Sequence, residues 1–125
     1  INASNGKIKT FFDWDIKEMQ YEGKTWSAIV DEILDELSDN VYISFDIDGL
    51  KPYLCPNTGT PVAGGFELSE IAYLFFKLVE KGKKIIGFDL NEVAPEEDGD
   101  WNANVGARAL WNLVCTTEKS RRLGV

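Results

Sequence analysis

The 125-residue chain carries 21 acidic and 13 basic side chains, which gives a formal net charge of −8 and a sequence pI of about 4.5. This acidic balance argues against nucleic acid or an anionic membrane surface as a partner, and no apolar run approaches the roughly 20 residues of a transmembrane helix. The length predicts one domain, residues 1–125, or a part of one. Because no stretch has the composition of a secretory signal, we expect a cytoplasmic protein whose two cysteines are reduced core thiols.

The first third of the chain predicts one short strand and one helix. The residues Lys7–Phe12 have the composition of a strand, and the polar stretch Asp13–Lys24 is predicted to be a loop. Apolar side chains then recur at helical spacing from Trp26 to Leu37. Thr25 is placed to cap the N-terminus of this helix.

The next segment predicts a strand that ends in two carboxylates. One face of this strand is apolar and consists of Val41, Ile43, Phe45 and Ile47. Asp46 and Asp48 share the opposite face, because successive side chains of a strand alternate. Two like charges roughly 6.5–7 Å apart at a buried strand end repel each other, unless a positive charge lies between them or water reaches them. A hard divalent cation such as Mg or Mn meets this requirement best.

The remaining segments continue the alternation of strands and helices. A long loop, Gly49–Gly65, follows the acidic strand, and loops of this length are usually functional or disordered. A helix is predicted from about Glu67 to Lys81, and a buried parallel strand is predicted over Lys84–Leu90. The third helix is expected over about Asn102–Cys115, and residues 116–125 are expected to fray.

The resulting order, β-α-β-α-β-α, predicts an α/β fold with a parallel sheet and right-handed crossovers. Ligands bind outside the carboxyl ends of such strands, which is where Asp46, Asp48 and Glu92 fall. Asp89 precedes this edge and is expected to bond only neighbouring amides. Three strands make a thin sheet, and parallel strands need cover on both faces, so the sequence reads as the last part of a larger fold. The chain contains no histidine, so a histidine ligand or base would have to come from elsewhere.

Each candidate residue has a structural interpretation beside the functional one. Asp46 and Asp48 can cap the amides of the following loop. Glu92 can be a solvated residue after a strand, and Thr58–Gly65 can be a flexible connection. In the functional interpretation, Glu92 holds a cationic substrate by a charge-assisted pair, while Thr60 offers its hydroxyl to the ligand.

Three motifs in this order resemble the C-terminal third of the ureohydrolases, the family of arginase, agmatinase and formimidoylglutamase. The motifs are Ser44-Phe-Asp-Ile-Asp-Gly-Leu50, Thr58-Gly-Thr-Pro-Val62 with Gly64-Gly65, and Gly87-Phe-Asp-Leu-Asn-Glu-Val93 with Pro95. The resemblance covers roughly residues 41–113. It implies a three-layer α/β/α fold around a parallel sheet, of which this chain is a C-terminal β-α-β-α-β-α portion.

The resemblance also implies a site with two Mn ions about 3.5 Å apart in the complete enzyme. Asp46 resembles the aspartate that bridges both metal ions, and Asp48 resembles a ligand of one of them. Thr60 and Glu92 correspond to residues that line the substrate pocket, where Glu92 pairs with the guanidinium group. The substrate implied is a small cationic amidine or guanidino compound, and the assembly implied is a homo-oligomer, a trimer or a hexamer.

The chain departs from the family pattern in ways that affect function. The Gly-Gly-Asp-His and Asp-Ala-His-x-Asp segments that supply the other metal ligands in the family do not occur in it. Because two aspartates cannot hold a binuclear centre at useful affinity, the chain alone is expected to be inactive, and no residue is assigned as catalytic. Lys51 stands where many members carry aspartate, and Ala94 where many carry asparagine. The choice among arginine, agmatine and formimidoylglutamate therefore stays open.

Two other functions also stay open. The segment around Asp46 resembles the haloacid-dehalogenase phosphatases, in which Asp46 would be the nucleophile and Asp48 a general acid beside Mg. Leu50 stands where that motif has threonine, however, and the motif normally opens its domain. The second alternative is a non-catalytic, degenerate module that keeps the fold for subunit contacts, which the missing histidines favour.

Overall fold

The computed structural model describes residues 1–123, apart from the side chain of Asn2. The chain divides into two compact units, Ile1–Leu37 and Ser38–Val125. None of the helices in the described residues combines the length and the hydropathy needed to span a bilayer.

The first unit contains a helix where the sequence predicted a loop. Asp13–Tyr21 forms helix α1, and two acidic residues in its first turn, Asp13 and Asp15, complement the positive end of the helix dipole. Only Ile16 is buried in this helix, so the apolar periodicity that would have revealed α1 is missing. The strand predicted over Lys7–Phe12 was also wrong, because these residues form no ladder and are irregular.

The second helix of this unit confirms the prediction made for it. Trp26–Asp35 forms helix α2, and the hydroxyl of Thr25 accepts a hydrogen bond from the Ala28 amide at 3.2 Å. This is the cap that the sequence predicted. The buried face of the helix consists of Ile29, Val30 and Leu34.

The second unit is built on a parallel pair of strands. Strand β1 is Asn40–Asp46 and strand β2 is Lys84–Asn91. Their register runs from Asn40 opposite Lys84 to Asp46 opposite Asn91, with an irregularity after Val41. Within residues 1–123 the sheet has these two strands rather than the three that were expected. Both strands end at the same edge, where Asp46 and Glu92 were predicted to meet.

Two helices complete this unit. Helix α3 is Leu68–Glu80, and Glu67 and Glu70 form a capping box at its start. Helix α4 is Trp101–Leu123 and extends well beyond Cys115. The expected fraying of residues 116–123 was therefore wrong, while residues 124 and 125 lie outside the described residues. The tail is held because the buried hydroxyl of Ser120 accepts a hydrogen bond from the Ile85 amide of β2 at 3.1 Å.

The core of the second unit lies on one face of the sheet, against α3 and α4. Its buried members are Phe45, Ile47, Leu50, Leu54, Cys55, Ile71, Phe75, Val105, Ala109 and Leu113. The rings of Phe45 and Phe75 meet edge to face with their centroids 6.0 Å apart. On the two strands, Tyr42 and Ile86 each remain 56% exposed, so β2 is less buried than the sequence predicted.

The two cysteines have different environments. Cys55 is 2% exposed, and its thiol donates a hydrogen bond to the Ile47 carbonyl at 3.2 Å. Cys115 lies on the exposed side of α4, and both thiols are free. The predicted core location is thus confirmed for Cys55 and wrong for Cys115.

Candidate metal and substrate site

The carboxyl end of β1 turns sharply at the two candidate metal ligands. Asp46 is the last residue of the strand, and Ile47–Gly49 forms a 3-10 turn. The Oδ1 atom of Asp46 accepts a hydrogen bond from the Asp48 amide at 3.1 Å, so Asp46 caps this turn. The prediction that Asp48 continues an extended strand was therefore wrong. A turn, and not strand alternation, brings the two carboxylates together, and one oxygen of Asp46 also has the capping role considered from the sequence.

Thr60 lies at this turn as well. Its hydroxyl donates a hydrogen bond to Asp48 Oδ2 at 2.6 Å. Asp46 is exposed and Asp48 is half-buried, so both are accessible from solvent. Within the described part of the chain, Asp46 Oδ2 and Asp48 Oδ1 have no hydrogen-bond partner. Each carboxylate thus keeps one oxygen available for a ligand.

Glu92 follows β2 directly and lies against the loop that carries Thr60. Its backbone has a left-handed φ of 64°, and its carbonyl accepts a hydrogen bond from the Thr58 hydroxyl at 3.1 Å. A Cβ atom on Gly59 would lie 3.3 Å from Glu92 Oε2, so the glycine lets the carboxylate approach the loop closely. The structure therefore places Glu92 beside Thr58 and Gly59, on the loop that also carries Thr60.

The long loop that contains these threonines is closed at its neck. Leu50 and Phe66 form a parallel bridge, in which the Lys51 amide donates to the Phe66 carbonyl at 2.9 Å and the Phe66 amide donates to the Gly49 carbonyl at 3.0 Å. At the same point Gly65 has a φ of +84°, and a Cβ atom there would lie 2.8 Å from the Leu50 carbonyl carbon. The segment is an Ω-type loop with a fixed base and not merely a flexible connection.

Lys51, one of the two residues noted above as departures from the pattern of the resembled family, has a local partner at this neck. Its ammonium group lies 2.7 Å from Glu67 Oε1, and the hydroxyl of Tyr53 donates to the other oxygen of Glu67. The hydrogen bond to Glu67 is the largest effect that raises the pKa of Lys51 above its usual value. Lys51 therefore ties the base of the loop to the start of α3.

Asp89 has a role that the sequence did not predict. Its carboxylate accepts hydrogen bonds from the Ser44 hydroxyl at 2.8 Å, from the Tyr42 hydroxyl at 2.9 Å and from the Asn91 side-chain amide. Only the last of these partners is a neighbouring amide. The bond from Ser44, followed by those from Asn91 and Tyr42, lowers the pKa of Asp89. The alternating positions 42, 44, 89 and 91 held the signal, but the register of the two strands is needed to read it.

The donor set of this chain suits a hard cation and is small. In residues 1–123, no group of three or more His, Cys, Asp or Glu side chains is placed to hold a metal ion. Asp46 and Asp48 offer carboxylate oxygens, which Mg and Mn prefer. Cys55 lies behind them, where burial, followed by the negative charges of Asp48 and Asp46, raises the pKa of its thiol. Cys55 thus stays protonated and is a poor ligand or nucleophile.

Comparison with known proteins assigns these features to one family. Residues 2–116 match the Arginase family. The N(1)-aminopropylagmatine ureohydrolase of Thermococcus kodakarensis is 40% identical over 108 residues, which cover 86% of this chain and 37% of that protein. The mitochondrial agmatinase of Gallus gallus is 42% identical over 94 residues, which cover 74% of this chain and 27% of that protein.

Solved structures give the same result. The proclavaminate amidino hydrolase from Streptomyces clavuligerus superposes with a TM-score of 0.74 at 26% identity, over 90% of this chain and 36% of that one. A hypothetical agmatinase from Burkholderia thailandensis gives a TM-score of 0.69 at 30% identity, over 93% of this chain and 38% of that one. The expected arginase-like α/β fold is thus confirmed, and the chain spans about a third of the length of these proteins. Because residues 2–116 include all three motifs and both strands of the parallel sheet, the chain belongs to the arginase family.

Proposed function

We propose that the chain carries the C-terminal part of a manganese-dependent ureohydrolase, which hydrolyses a C–N bond of a linear amidine or guanidine. Its relatives include an agmatinase, a guanidinobutyrase and an aminopropylagmatine ureohydrolase. The observation that carries the proposal is the hydrogen bond from Thr60 to Asp48, with Glu92 against the same loop. It links a candidate metal ligand to the candidate substrate residues at the carboxyl end of the sheet.

In this proposal, Asp46 and Asp48 hold the metal ions through the oxygens that lack other partners in the described residues. Two divalent ions, when bound, would supply a water that is activated as a nucleophile at neutral pH. The other ligands would come from outside this chain, because it has no histidine. We therefore expect the isolated chain to be inactive.

The substrate contacts follow from the hydrogen-bonding capacity of two side chains. Because the Thr60 hydroxyl donates its hydrogen bond to Asp48, its oxygen lone pairs are left to accept a hydrogen bond from a substrate N–H. Glu92 supplies a negative charge and two acceptor oxygens, which suit a planar guanidinium. Together they would bind the cation in one orientation and present one face of its central carbon to the nucleophile.

The wider assignments rest on the family and on composition. A small cationic substrate agrees with the names of the relatives and with the net charge of −8. A homo-oligomeric assembly and a cytoplasmic location are part of the proposal.

The two alternatives differ in what they leave unexplained. The phosphatase alternative uses Asp46 and Asp48 alone, whereas the family match includes residues 58–65 and Glu92 as well. A non-catalytic module agrees with the small donor set of the described residues. Activity of the complete protein separates this module from the proposed enzyme.

The test measures urea release from agmatine and arginine with saturating Mn²⁺, for the isolated chain and for a full-length protein that contains it. We expect no turnover by the isolated chain. In the full-length protein, the substitutions Asp46→Asn and Asp48→Asn should each lower kcat/KM by at least about 100-fold, because they remove a metal ligand.

The matched control is Asp39→Asn, since Asp39 precedes β1 at the opposite end and its side chain is 99% exposed. It should leave turnover unchanged. Turnover by the isolated chain would contradict the fragment proposal, and normal turnover of the Asp46→Asn protein would contradict the metal role.

A further inference from the structure

The residues that would bind substrate lie on two separate loops. Thr60 lies on residues 51–65, here called the Thr60 loop, and Glu92 begins residues 92–100, here called the Glu92 loop. The Thr60 loop contains one 3-10 turn, Pro52–Leu54, and otherwise no helix or strand. The Glu92 loop begins directly after β2 and contains no helix or strand. Their relative position therefore depends on side chains that bridge them.

One buried side chain contacts both loops. Asn102, in the first turn of α4, is 2% exposed. Its Oδ1 accepts from the Asn57 amide at 3.2 Å, and its Nδ2 donates to Asn57 Oδ1 at 3.0 Å and to Glu96 Oε2 at 2.6 Å. The Asn102 backbone amide also donates to Glu96 Oε1 at 3.3 Å. Both amide hydrogens of the side chain are thus used, one toward each loop.

Two neighbouring bonds strengthen the same junction. The indole N–H of Trp101 donates to the Tyr53 carbonyl at 2.9 Å, which ties the start of α4 to the Thr60 loop. The Thr58 hydroxyl, on a residue that is 5% exposed, donates to the Glu92 carbonyl at 3.1 Å. Thr58 is two residues from Thr60, so the junction reaches the substrate residues themselves.

We propose that Asn102 is a positioning residue that fixes Glu92 relative to the pair formed by Thr60 and Asp48. Its carboxamide suits this site, because one planar group donates two hydrogen bonds, to Glu96 and to Asn57 Oδ1, and accepts a third from a backbone amide. Truncation would remove the acceptor of the Asn57 amide and the donor to Asn57 Oδ1, and so would release the Thr60 loop from α4. What the loops bind rests on the proposed function, whereas the junction itself does not.

The first test measures amide hydrogen exchange and nuclear Overhauser contacts in the 125-residue chain. In Asn102→Ala, exchange of the Thr58 amide should accelerate by about 10-fold or more, and the contact between Thr58 and Glu92 should weaken. The amides of Ile85 and Leu113, in the core, should keep their protection. The control Asn104→Ala removes an exposed asparagine from the same helix and should change neither loop. Among residues 1–123, the Asn104 side chain has a hydrogen bond from Arg108 alone, at 3.4 Å.

The second test uses a full-length protein that contains this chain. Asn102→Ala should lower kcat/KM by about 10-fold through misplacement of the loops, and the midpoint of its Mn²⁺ titration should stay within about twofold of wild type. A merely structural role would shift the metal midpoint and the core exchange as well.

Two results would overturn the proposal. In the first, the loop amides of Asn102→Ala exchange as slowly as those of Asn104→Ala. In the second, the loop amides and the core amides of Asn102→Ala accelerate by the same factor. If Asn102→Ala does not fold, Glu96→Ala removes the contact to one loop only and is read by the same criteria. If the exchange test fails, the role of Asn102 is contradicted, while the turnover of the Asp46 and Asp48 variants still tests the proposed function. Absence of turnover in the full-length protein would leave the exchange result standing.

Discussion

Single side chains around Asp46 are held by hydrogen bonds that cross between strands. The carboxylate of Asp89 on β2 accepts hydrogen bonds from two hydroxyl groups of β1, those of Tyr42 and Ser44. These bonds stabilise the ionised carboxylate, which is why the pKa of Asp89 is lowered. Ser44 is two residues before Asp46, so Asp89 helps to hold the strand that ends in the candidate metal ligands.

The lowered pKa gives Asp89 a predictable effect on stability. Because the pKa of Asp89 is lower in the folded than in the unfolded chain, its contribution is present at neutral pH and is lost as pH falls through the folded value, below about pH 4. We therefore expect Asp89→Asn to be less stable than wild type at pH 7. The difference between the two unfolding free energies should shrink toward pH 3.

The measurement is denaturant unfolding of both proteins between pH 3 and pH 7, with the Asp89 carboxyl titrated directly by NMR. Asp39→Asn, which alters an exposed carboxylate, is the control. A stability difference that is independent of pH would show that Asp89 acts through packing and not through its charge.

The sequence predicted some of the site at the level of residues. It named Asp46, Asp48, Thr60 and Glu92 as candidates, and the structure brings one pair of them, Thr60 and Asp48, into contact. It did not predict the turn at Asp48 or the bridge at Asn102. The turn at Asp48 follows from the cap that Asp46 provides. The bridge at Asn102 depends on where two loops meet, which residue spacing along the chain does not determine.

At the level of elements, the neck of the Thr60 loop requires glycine. Gly65 and Gly82 both have a positive φ, but only at Gly65 would a Cβ atom meet backbone, 2.8 Å from the Leu50 carbonyl carbon. Gly82→Ala should cost about 1–2 kcal/mol through its left-handed backbone alone. Gly65→Ala should cost at least about 1 kcal/mol more, because the neck must also open.

Hydrogen exchange of the Ile85 amide in the core, under conditions that report global unfolding, measures the unfolding free energy of each glycine variant. Equal losses in the two variants would mean that the neck relaxes without strain.

The last two turns of α4 give a second test at this level. Ser120 accepts from the Ile85 amide at 3.1 Å and donates to the Thr117 carbonyl at 2.8 Å. Ser120→Ala leaves a buried N–H without a partner and should cost about 1–3 kcal/mol. Ser69→Ala, on the exposed side of α3, should stay within about 0.5 kcal/mol of wild type. Thermal unfolding compares the two variants, and equal stabilities would contradict a structural role for the tail.

The elements that the sequence predicted correctly share strong apolar patterns. Helices α2 and α3 and strands β1 and β2 were all expected at close to their observed positions. Helix α1 was missed because it buries one side chain, and the end of α4 was missed because its buried residues, Thr117 and Ser120, are polar. The segment Lys7–Phe12 alternates like a strand, but no partner strand pairs with it in residues 1–123.

At the level of the whole molecule, the chain covers one sheet face and leaves polar and apolar side chains exposed on the other. Tyr42 and Ile86 are each 56% exposed, although parallel sheets normally carry cover on both faces. The α/β class was predictable because the motifs fix the order and direction of the strands. The other ligands of the proposed metal site could not be predicted, because this chain spans 37% of the Thermococcus relative and 36% of the Streptomyces structure.

The left-handed backbone of Glu92 sets folding stability against the substrate-binding role that we propose for this residue. A non-glycine residue at a φ of 64° costs about 1–2 kcal/mol, whereas glycine loses only about 0.5–1 kcal/mol more chain entropy on folding. Glu92→Gly should therefore raise the unfolding free energy by about 0.5–1 kcal/mol while it removes the carboxylate proposed to bind the cation. A melting temperature that falls in this variant would contradict the expectation. Selection for thermal robustness alone would thus discard the residue that we propose to recognise a guanidine.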